Sequence, residues 1–539
     1  SEGVAMKVIV TEKLAHEGLL LLEKDPRIEV DVKLGLSKDE LLAVIGDYDA
    51  IITRSATKVD KDVLAAGKKL KIVARAGVGI DSVDVEFASA QGVIVLNAPF
   101  GNTNSVAEHT FALLLALCRN IPKADASLKR GEWNRSALAG SELKGKVAGV
   151  IGLSKVGGRV ATRFKAFECD VIGCDPFISE KRAQDLGVRL VSHEEIYKTA
   201  DIITLHIPKT KETANMIGEK ELAMMKDGVL IVNTARGGII DEEALLKALE
   251  SGKVGGAAID VWTEEPPKSD TIKKLIAHDR VVSIPHLGAS TNEAQINVSV
   301  DVAREIIRYM DEQPLENAVN IPRFDLSLMD QMRPFLRLVN IMGEFVIQLL
   351  EENINKVTFS YEGNIAENDT APITVCGLAA LLNKKVEQDV NMVNAKMVAD
   401  NMGIAVEEIK SSQQGPFSSM VTITIEGPGE KRLIAGTQFE GIPRIVKLRD
   451  FQVDFAPEEH MLILSYQDRP GMIGRIGMIL GQHDINIAAM NLGRREKKGE
   501  AMVILSLDSA VPLSVVEEIG EATRATFAKP LHLATAKVG

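Results

Sequence analysis

The sequence predicts an α/β protein in which two parallel-sheet domains precede an α+β domain and a small C-terminal βαββαβ unit. Three observations predict this. Residues 146–175 read as strand, glycine turn, helix, strand and terminal acid. Short apolar strands alternate with helical stretches on both sides of that unit, the pattern of a parallel sheet. From Met461 onward the order becomes strand, helix, two strands, helix and strand.

Val147 to Ile151 is an apolar run, as expected for a strand buried on both faces. Gly152 opens the turn. Val156, Val160, Phe164 and Phe167 then recur at helical spacing, and Asp170 to Cys174 is apolar again. A helix N-terminus offers free amides and partial positive charge, which suits a pyrophosphate. Gly152 permits the tight turn and Gly157 the close approach of the helix. Asp175 stands roughly twenty residues on, where a carboxylate accepts from both ribose hydroxyls. It would repel a 2′-phosphate, so NAD is expected rather than NADP. The turn reads Gly-Leu-Ser-Lys-Val-Gly, and Ser154 stands where the fingerprint has glycine. Read alone, such a turn is also compatible with no ligand.

The 539 residues are enough for about three or four domains. Hydrophobic residues make up 45% and charged residues 26%, which fits a globular chain. The formal net charge is −12, and no basic stripe interleaves with aromatics, so nucleic acid is not an expected partner. No apolar run reaches membrane-spanning length, and no secretory signal precedes Met6. Cys118, Cys169, Cys174 and Cys376 fit neither a zinc site nor a redox pair, and the nine histidines form no ligand cluster by spacing. Reduced thiols, no metal and a cytoplasmic location are expected. The stroma of a reducing organelle fits equally, if a transit peptide has been removed.

In order, strands are expected at Lys7 to Val10, Ala50 to Thr53, Lys71 to Ala74 and Val93 to Asn97, with a helix at Ala15 to Leu22. Asn104 to Asn120 is a long, mostly apolar helix that packs a core, links the domains or meets a second subunit. After Asp175, strands are expected at Ile202 to Leu205, Val229 to Val232, Ala257 to Ile259 and Val281 to Ile284. Ser290 to Glu293 reads as a capping box. It opens a helix whose apolar face is Ile296, Val300, Ala303, Ile307 and Met310, and which crosses back to complete the first domain. Pro314 to Pro322 marks a boundary. Val421 to Ile425 and the turn Gly427-Pro428-Gly429 predict a hairpin. In the last unit, Met461 to Tyr466 leads through Asp468-Arg469-Pro470-Gly471 into a helix. Strand Ile485 to Leu492, a charged turn and strand Ala501 to Leu507 follow.

Three chemically capable residues follow predicted strands: Arg236 after VLIVN, Glu265 after AAIDVW and His286 after VVSIP. Ligands of open parallel sheets bind at the carboxyl ends of strands, so the three can converge. Hydride leaving a secondary alcohol needs a base for the hydroxyl proton, and a histidine suits that role. A carboxylate beside it favours the protonated ring, and an arginine binds a substrate carboxylate bidentately. Asp260 could accept from the nicotinamide amide, and His206 ends a strand at the same crevice. Taken singly, each has a structural reading: a satisfied histidine, a surface pair, a proline loop. Arg54 and Arg75 end strands of the first domain and face the same cleft, as surface charge or as cations for a phosphorylated acid.

On RAGVGIDSVD (75–84), GNTNSVAEH (101–109), NTARGGIIDEEAL (233–245), AAIDVWTEEPP (257–267) and IPHLGAS (284–290), the chain resembles the D-isomer-specific 2-hydroxyacid dehydrogenases. The resemblance implies two Rossmann-like parallel-sheet domains, with residues 1–101 and 291–320 binding substrate and 102–290 binding NAD. It makes Arg236, Glu265 and His286 the catalytic three. It assigns cofactor contacts to Gly152, Ser154, Lys155, Val156, Gly157, Asp175, His206, Thr234, Ala235, Asp260 and Gly288. Substrate contacts fall on Arg54, Arg75, Val78, Gly79, Asn102 and Arg135, the last reaching a neighbouring subunit's site. Ser154 and Glu168 depart from the family's glycines.

The whole architecture resembles the long branch of that family, with an α+β intervening domain at 321–457 and a regulatory ACT domain at 458–539. The stretches AGTQFEGIPRIVKLRDFQVD (435–454) and YQDRPGMIGRIGMILGQHDINIAAMNLGR (466–494) carry this likeness. It implies NAD-dependent oxidation of 3-phospho-D-glycerate to 3-phosphohydroxypyruvate, the first step of L-serine biosynthesis, by a homodimer or homotetramer. It also implies feedback by L-serine, bound between paired domains at Tyr466, Asp468 and Asn486; on the βαββαβ order alone, Asp468 and Asn486 can meet at one end of the sheet, or cap a helix and end a turn. A glyoxylate or hydroxypyruvate-type reductase and a non-catalytic NAD-sensing binding protein share many of these residues. Arg54, Arg75 and the ACT unit speak against the first, and the ACT unit against the second.

Overall fold

Five apolar segments near the start of the chain form an all-parallel sheet in the computed structural model. The structure describes residues 6–322, 328–350, 353–383, 385–386, 389–413, 415–429, 431–494, 496 and 499–534. The strands are β1 (Met6–Val10), β2 (Ile28–Val32), β3 (Ala50–Thr53), β4 (Ile72–Arg75) and β5 (Ile94–Asn97), in the order β2-β1-β3-β4-β5. Helices Lys38–Val44 and Lys61–Ala66 between them start on side-chain caps, Ser37 in a capping box and Asp60 accepting from two amides.

The second sheet is also parallel. It holds β6 (Val147–Ile151), β7 (Asp170–Cys174), β8 (Arg189–Leu190), β9 (Ile202–Leu205), β10 (Val229–Asn233), β11 (Val254–Ile259) and β12 (Val281–Ser283), in the order β12-β11-β10-β9-β6-β7-β8. The order reverses direction between β6 and β9, so a crevice opens at their carboxyl ends. Helix Thr103–Cys118 belongs to this domain's core, where Phe111 and Leu114 pack with Val160 and Phe164.

Helix Asn292–Met310 returns to the first sheet, burying Val298, Val302, Ala303 and Ile306 with Val8, Ile52 and Leu96. Two details differ from the sequence reading. The cap is Thr291, which accepts from the Ala294 amide, while the Ser290 amide closes a turn on Leu287. The buried stripe runs through Ala294, Val298 and Val302, leaving Ile296, Val300, Ile307 and Met310 half-buried. The chain crosses between the two sheets at 97–103 and 284–292, and the crossings are joined by Ser105 Oγ and Thr291 Oγ1 at 2.7 Å.

A third, mixed sheet holds β13 (Lys356–Gly363), β14 (Ala405–Ser411), β15 (Ser419–Glu426), β16 (Arg432–Phe439), β17 (Ile442–Leu448) and β18 (Phe451–Phe455). β15 and β16 form the expected hairpin. Helices Met329–Gln348 and Ala371–Leu382 share a core with this sheet. The C-terminal unit holds β19 (His460–Gln467), β20 (Ile487–Arg494), β21 (Glu500–Leu507) and β22 (Phe527–His532), in the order β20-β21-β19-β22. One face of it, with Met461, Ile504 and Leu531, joins the third domain's core. Helices Met472–Gln482 and Leu513–Thr523 cover the other. The charged turn before β21 falls partly outside the described residues. No described helix is long and apolar enough to cross a membrane.

The returning helix fits because Gly18 lets two backbones meet: a Cβ there would lie 2.6 Å from the Ser299 carbonyl oxygen. Gly18→Ala is expected to destabilise the first domain by about 1–3 kcal/mol through overpacking. Denaturant unfolding followed by calorimetry checks this, and an unchanged first transition would contradict the packing.

Candidate active site

The crevice at β6 and β9 is built by glycines. Gly152 adopts φ 90°, where an added Cβ would run into the His206 carbonyl at the end of β9. At Gly157 a Cβ would strike the Gly152 carbonyl, so the helix Lys155–Ala166 can start this close only without one. Its first amides have no intrahelical partner. Ser154 precedes them with φ −63° and ψ −138°, outside the helical and extended regions, and its hydroxyl caps no amide. Val156 is half-buried beside this end, and Lys155 reaches across to the Phe100 ring on the crossing segment. A cleft of about 800 Å³ lies here, lined by Phe100, Ser105, Ser154, Lys155, Arg159 and Thr291 among others. Asp175, at the end of β7, accepts from the Leu153 amide at 2.8 Å and the Phe177 amide at 2.9 Å. It stays half-exposed beside the glycine turn. Burial holds His206 neutral, its pKa pushed down to about 3, with Nε2 2.9 Å from Thr204 Oγ1.

After β10 the chain turns sharply, and Asn233 fastens the turn. Its Oδ1 accepts from Ala235 N at 3.1 Å and its Nδ2 donates to Arg236 O at 2.9 Å. Thr234 is held by Thr110 at 2.9 Å. Arg236 is thereby aimed at the first domain. Its Nε lies 3.4 Å from Asp81 Oδ2, and its Nη2 lies so close to Gly79 that a Cβ there would collide. Gly77 leaves the same room for Arg75. Arg75 Nε donates to Arg54 O at 3.2 Å, and Asn97 Nδ2 braces the loop through Val78 O at 2.7 Å. Burial, and then the charge of Arg236, hold the Arg75 pKa below its ordinary value. Arg54 Nε is buried with no partner among the described residues. Arg54, Arg75 and Arg236 thus converge from two domains into one cationic region.

The acid–base pair stands beside them. His286 Nδ1 lies 2.7 Å from Glu265 Oε2, and the other carboxylate oxygen accepts from Trp262 N at 3.0 Å. The Glu265 hydrogen bond raises the His286 pKa and outweighs the opposing effect of burial. For Glu265, burial works upward, but His286 and the Trp262 amide together hold its pKa below the ordinary value. His286 sits at φ 54°, a conformation that needs fixing. Its amide donates to Asp260 O at 2.9 Å, and the Asp260 carboxylate accepts from Leu287 N at 2.6 Å and Gly288 N at 2.9 Å.

Three expectations need correction: those for Asp260, for Tyr466 and for the meeting of Asp468 with Asn486. The Asp260 side chain is 1% exposed and holds the 286–288 loop, so its observed role is positional. Asn102 is the half-buried residue before helix Thr103–Cys118, with no side-chain cap bond. Arg135 lies on an exposed segment after helix Ile121–Lys129, with no described contact to the arginine region. Tyr466 is 1% exposed, a core residue of the last unit. Asp468 and Asn486 do not meet. β19 and β20 are both antiparallel to β21 and so run parallel to each other. Asp468 follows the end of β19, beside Arg494 at 3.3 Å, whereas Asn486 precedes β20 at the far end and bonds Asp508 at 2.7 Å.

Three residues that pattern reading missed complete the site. Glu12 accepts from the amides of Arg54, Ala56 and Thr57 and shapes the arginine loop. Burial opposes its ionisation, but those amides win and lower its pKa. Asp81 balances Arg236, and His109 turns Nε2 toward Asp260 Oδ1 at 3.5 Å. None had a sequence signal of its own. His109 lies in GNTNSVAEH but has no strand end to mark it.

Comparison with known proteins gives the family. Residues 111–288 match the D-isomer specific 2-hydroxyacid dehydrogenase NAD binding domain, 331–449 the D-3-phosphoglycerate dehydrogenase intervening domain and 460–523 the ACT domain. The chain is 43% identical over 516 residues to D-3-phosphoglycerate dehydrogenase of Archaeoglobus fulgidus, covering 95% of this chain and 97% of that one. It is 42% identical over 515 residues to the protein of the same name in Bacillus subtilis, covering 95% and 97%. Among solved structures, D-lactate dehydrogenase of Aquifex aeolicus, complexed with NAD and lactic acid, matches with a TM-score of 0.54 at 27% identity. That match covers 58% of this chain and 99% of the other.

The pair makes a signed prediction. Glu265→Gln removes the interaction that raises the His286 pKa, so the ring should lose its proton at lower pH than in the native chain. Imidazole titration by NMR checks this. An unchanged or higher midpoint would show that Glu265 does not set the charge of His286.

Proposed function

The chain belongs to the D-3-phosphoglycerate dehydrogenases, within the D-isomer-specific 2-hydroxyacid dehydrogenase family, and on that premise we propose how its residues oxidise 3-phospho-D-glycerate with NAD. The observation that carries the proposal is the His286–Glu265 pair beside three arginines drawn from two domains. Residues 102–290 bind the cofactor, and 1–101 with 291–320 bind substrate. That division is supported by two separate parallel sheets and by the returning helix in the first core. Residues 321–457 and 458–539 form the intervening and ACT domains.

The crevice fits NAD. Gly152 and Gly157 leave a cradle that side chains would fill, the helix after Ser154 offers amides to a pyrophosphate, and Asp175 stands at the end of β7 beside the glycine turn, where it would accept from the ribose hydroxyls. His206, Thr234, Ala235 and Gly288 line the rest. Bound NAD supplies the hydride acceptor. Arg236 holds the substrate carboxylate through a charge-assisted bond, with Val78 and Gly79 offering backbone at the same place. Arg54 and Arg75 hold the phosphate, with Asn102 at the edge of the cleft. His286, neutral, takes the hydroxyl proton at its Nε2, because Nδ1 is engaged by Glu265. Glu265 stabilises the charge that the ring then acquires. Oxidation therefore needs His286 deprotonated beforehand, and the reverse reduction needs it protonated.

The substrate follows from Arg54. Arg54→Ala should raise KM for 3-phosphoglycerate about 10- to 100-fold, the value of one charged hydrogen bond, and leave an unphosphorylated 2-hydroxy acid little changed. NADH absorbance with both acids is the measurement. Equal losses on both would remove the phosphate role and favour a reductase of unphosphorylated acids.

Regulation and assembly complete the reading. L-serine is the proposed effector, held by Asp468 of one copy and Asn486 of a second, because one copy keeps them at opposite ends of its sheet. This requires a homodimer or homotetramer, in which Arg135 reaches a neighbouring active site. The four free thiols, raised by burial where shifted, suit the cytoplasm or a reducing organelle stroma. Asn486→Ala should abolish serine binding in calorimetry while basal turnover stays. Serine binding that survives the substitution would move the effector elsewhere.

A further inference from the structure

The first and last strands of the C-terminal unit bring two histidines and a glutamate together, away from the active site. β19 and β22 are antiparallel, with His460 directly opposite His532. Directly paired residues share a face of the sheet, and these two rings stack with centroids 5.3 Å apart. The same alternation sends their neighbours Met461 and Leu531 to the opposite face, into the third domain's core. The histidine pair is therefore fixed in facing by buried neighbours on both strands. Glu459 stands one residue before β19, and its carbonyl accepts from Leu533 N at 2.9 Å, which extends the ladder past the histidines.

One ligand atom from each of Glu459, His460 and His532 lies within 4.8 Å of the other two. Ligands around a tetrahedral ion with bonds of about 2.0–2.2 Å stand roughly 3.3–3.5 Å apart, so modest side-chain rotation closes the set. The backbone beneath it is already held. Gln348 clamps His532 from the outer side, Nε2 donating to its carbonyl at 2.9 Å and Oε1 accepting from its amide at 3.1 Å. One turn earlier in the same helix, Glu344 accepts from the Ala534 amide at 3.1 Å. A ligand on an edge strand is normally free to fray, and this one is tied at the residue itself and two residues on. Such support is what a metal site needs from its surroundings.

We propose that Glu459, His460 and His532 bind one borderline divalent transition-metal ion, of which Zn²⁺ is the test case, and that the ion clamps the first and last strands of the C-terminal unit. Two imidazoles and a carboxylate select Zn²⁺, Ni²⁺ or Cu²⁺ over the hard cations Mg²⁺ and Ca²⁺. Three protein ligands leave a further position for water.

The test uses the full chain, freed of metal by dialysis against a chelator. Zn²⁺ is titrated in competition with a chromophoric indicator. One ion per chain is expected, with affinity at least tenfold weaker in His460→Asn and in His532→Asn. Circular dichroism shows whether each variant is folded, and Glu459→Gln, which changes no ring packing, supplies a third variant with the same expectation. Co²⁺ in place of Zn²⁺ should give ligand-field bands without a thiolate charge-transfer band, which separates this site from the four cysteines. Amide exchange of Phe527 to His532 should slow on adding Zn²⁺ to the native chain and not in His532→Asn. No ion bound by the native chain, unchanged affinity in the folded variants, or a thiolate band would each overturn the proposal.

Discussion

The buried Asp260 carboxylate is the constraint on which the active site hangs. It ends β11 and takes two successive amides of the loop after β12, while its own carbonyl takes a third. Those three bonds hold His286 in a left-handed conformation that its side chain would not choose in isolation. They also fix the distance between the ends of β11 and β12, and Glu265 rides on the former. A buried carboxylate that accepts two amides has its oxygens satisfied inside the core. The catalytic geometry is thus set by a group that points away from solvent, and the exposed pair inherits its position.

The second constraint is charge. Arg54, Arg75 and Arg236 are brought together by glycines at 77 and 79, where side chains would block them. Their mutual repulsion is visible in Arg75, whose protonated form is disfavoured by burial and then by Arg236. Asp81 and Glu12 answer it, and Glu12 is already engaged by three amides. An anion bound among the three arginines would relieve this repulsion.

The legible parts of this fold were those with a single physical cause. Strands β3, β6, β7 and β9 are buried on both faces, so their apolar runs coincide with their bounds in the structure. Helix Asn292–Met310 was placed correctly and faced wrongly, because its buried stripe includes Ser299 and Glu305. Pattern reading assigns such residues to solvent. Here Ser299 receives the Ala15 amide, and Glu305 receives those of Glu316 and Asn317, which satisfies them inside. In the site, residues at strand ends were readable because topology gathers strand ends. Glu12 and Asp81 act from loops whose course depends on the folded chain. Asp468 and Asn486 were misread for a related reason: a helix between two parallel strands returns the chain to the starting end, so a turn and the next strand's start lie a full strand length apart.

That same topology decides what any signal from the C-terminal unit must do. The unit is not a tethered bead. One face of its sheet shares a core with the intervening domain, and Asn491 on its edge donates to the Asp454 carbonyl of β18. The intervening domain in turn holds the first domain, through Asn391 donating to the Gly92 carbonyl and Val393 packing on the first core. A ligand that joins two copies of the unit can therefore bias the substrate domain only by shifting one of these packed seams between two arrangements with different affinity. The seam at Gly92 is the narrower, because it rests on one turn, whereas the seam at Met461 and Leu531 is part of a continuous core. Packed cores resist gradual deformation. The contact at Gly92 lies before the amino end of β5, two strands from β3, whereas Arg54 follows the carboxyl end of β3.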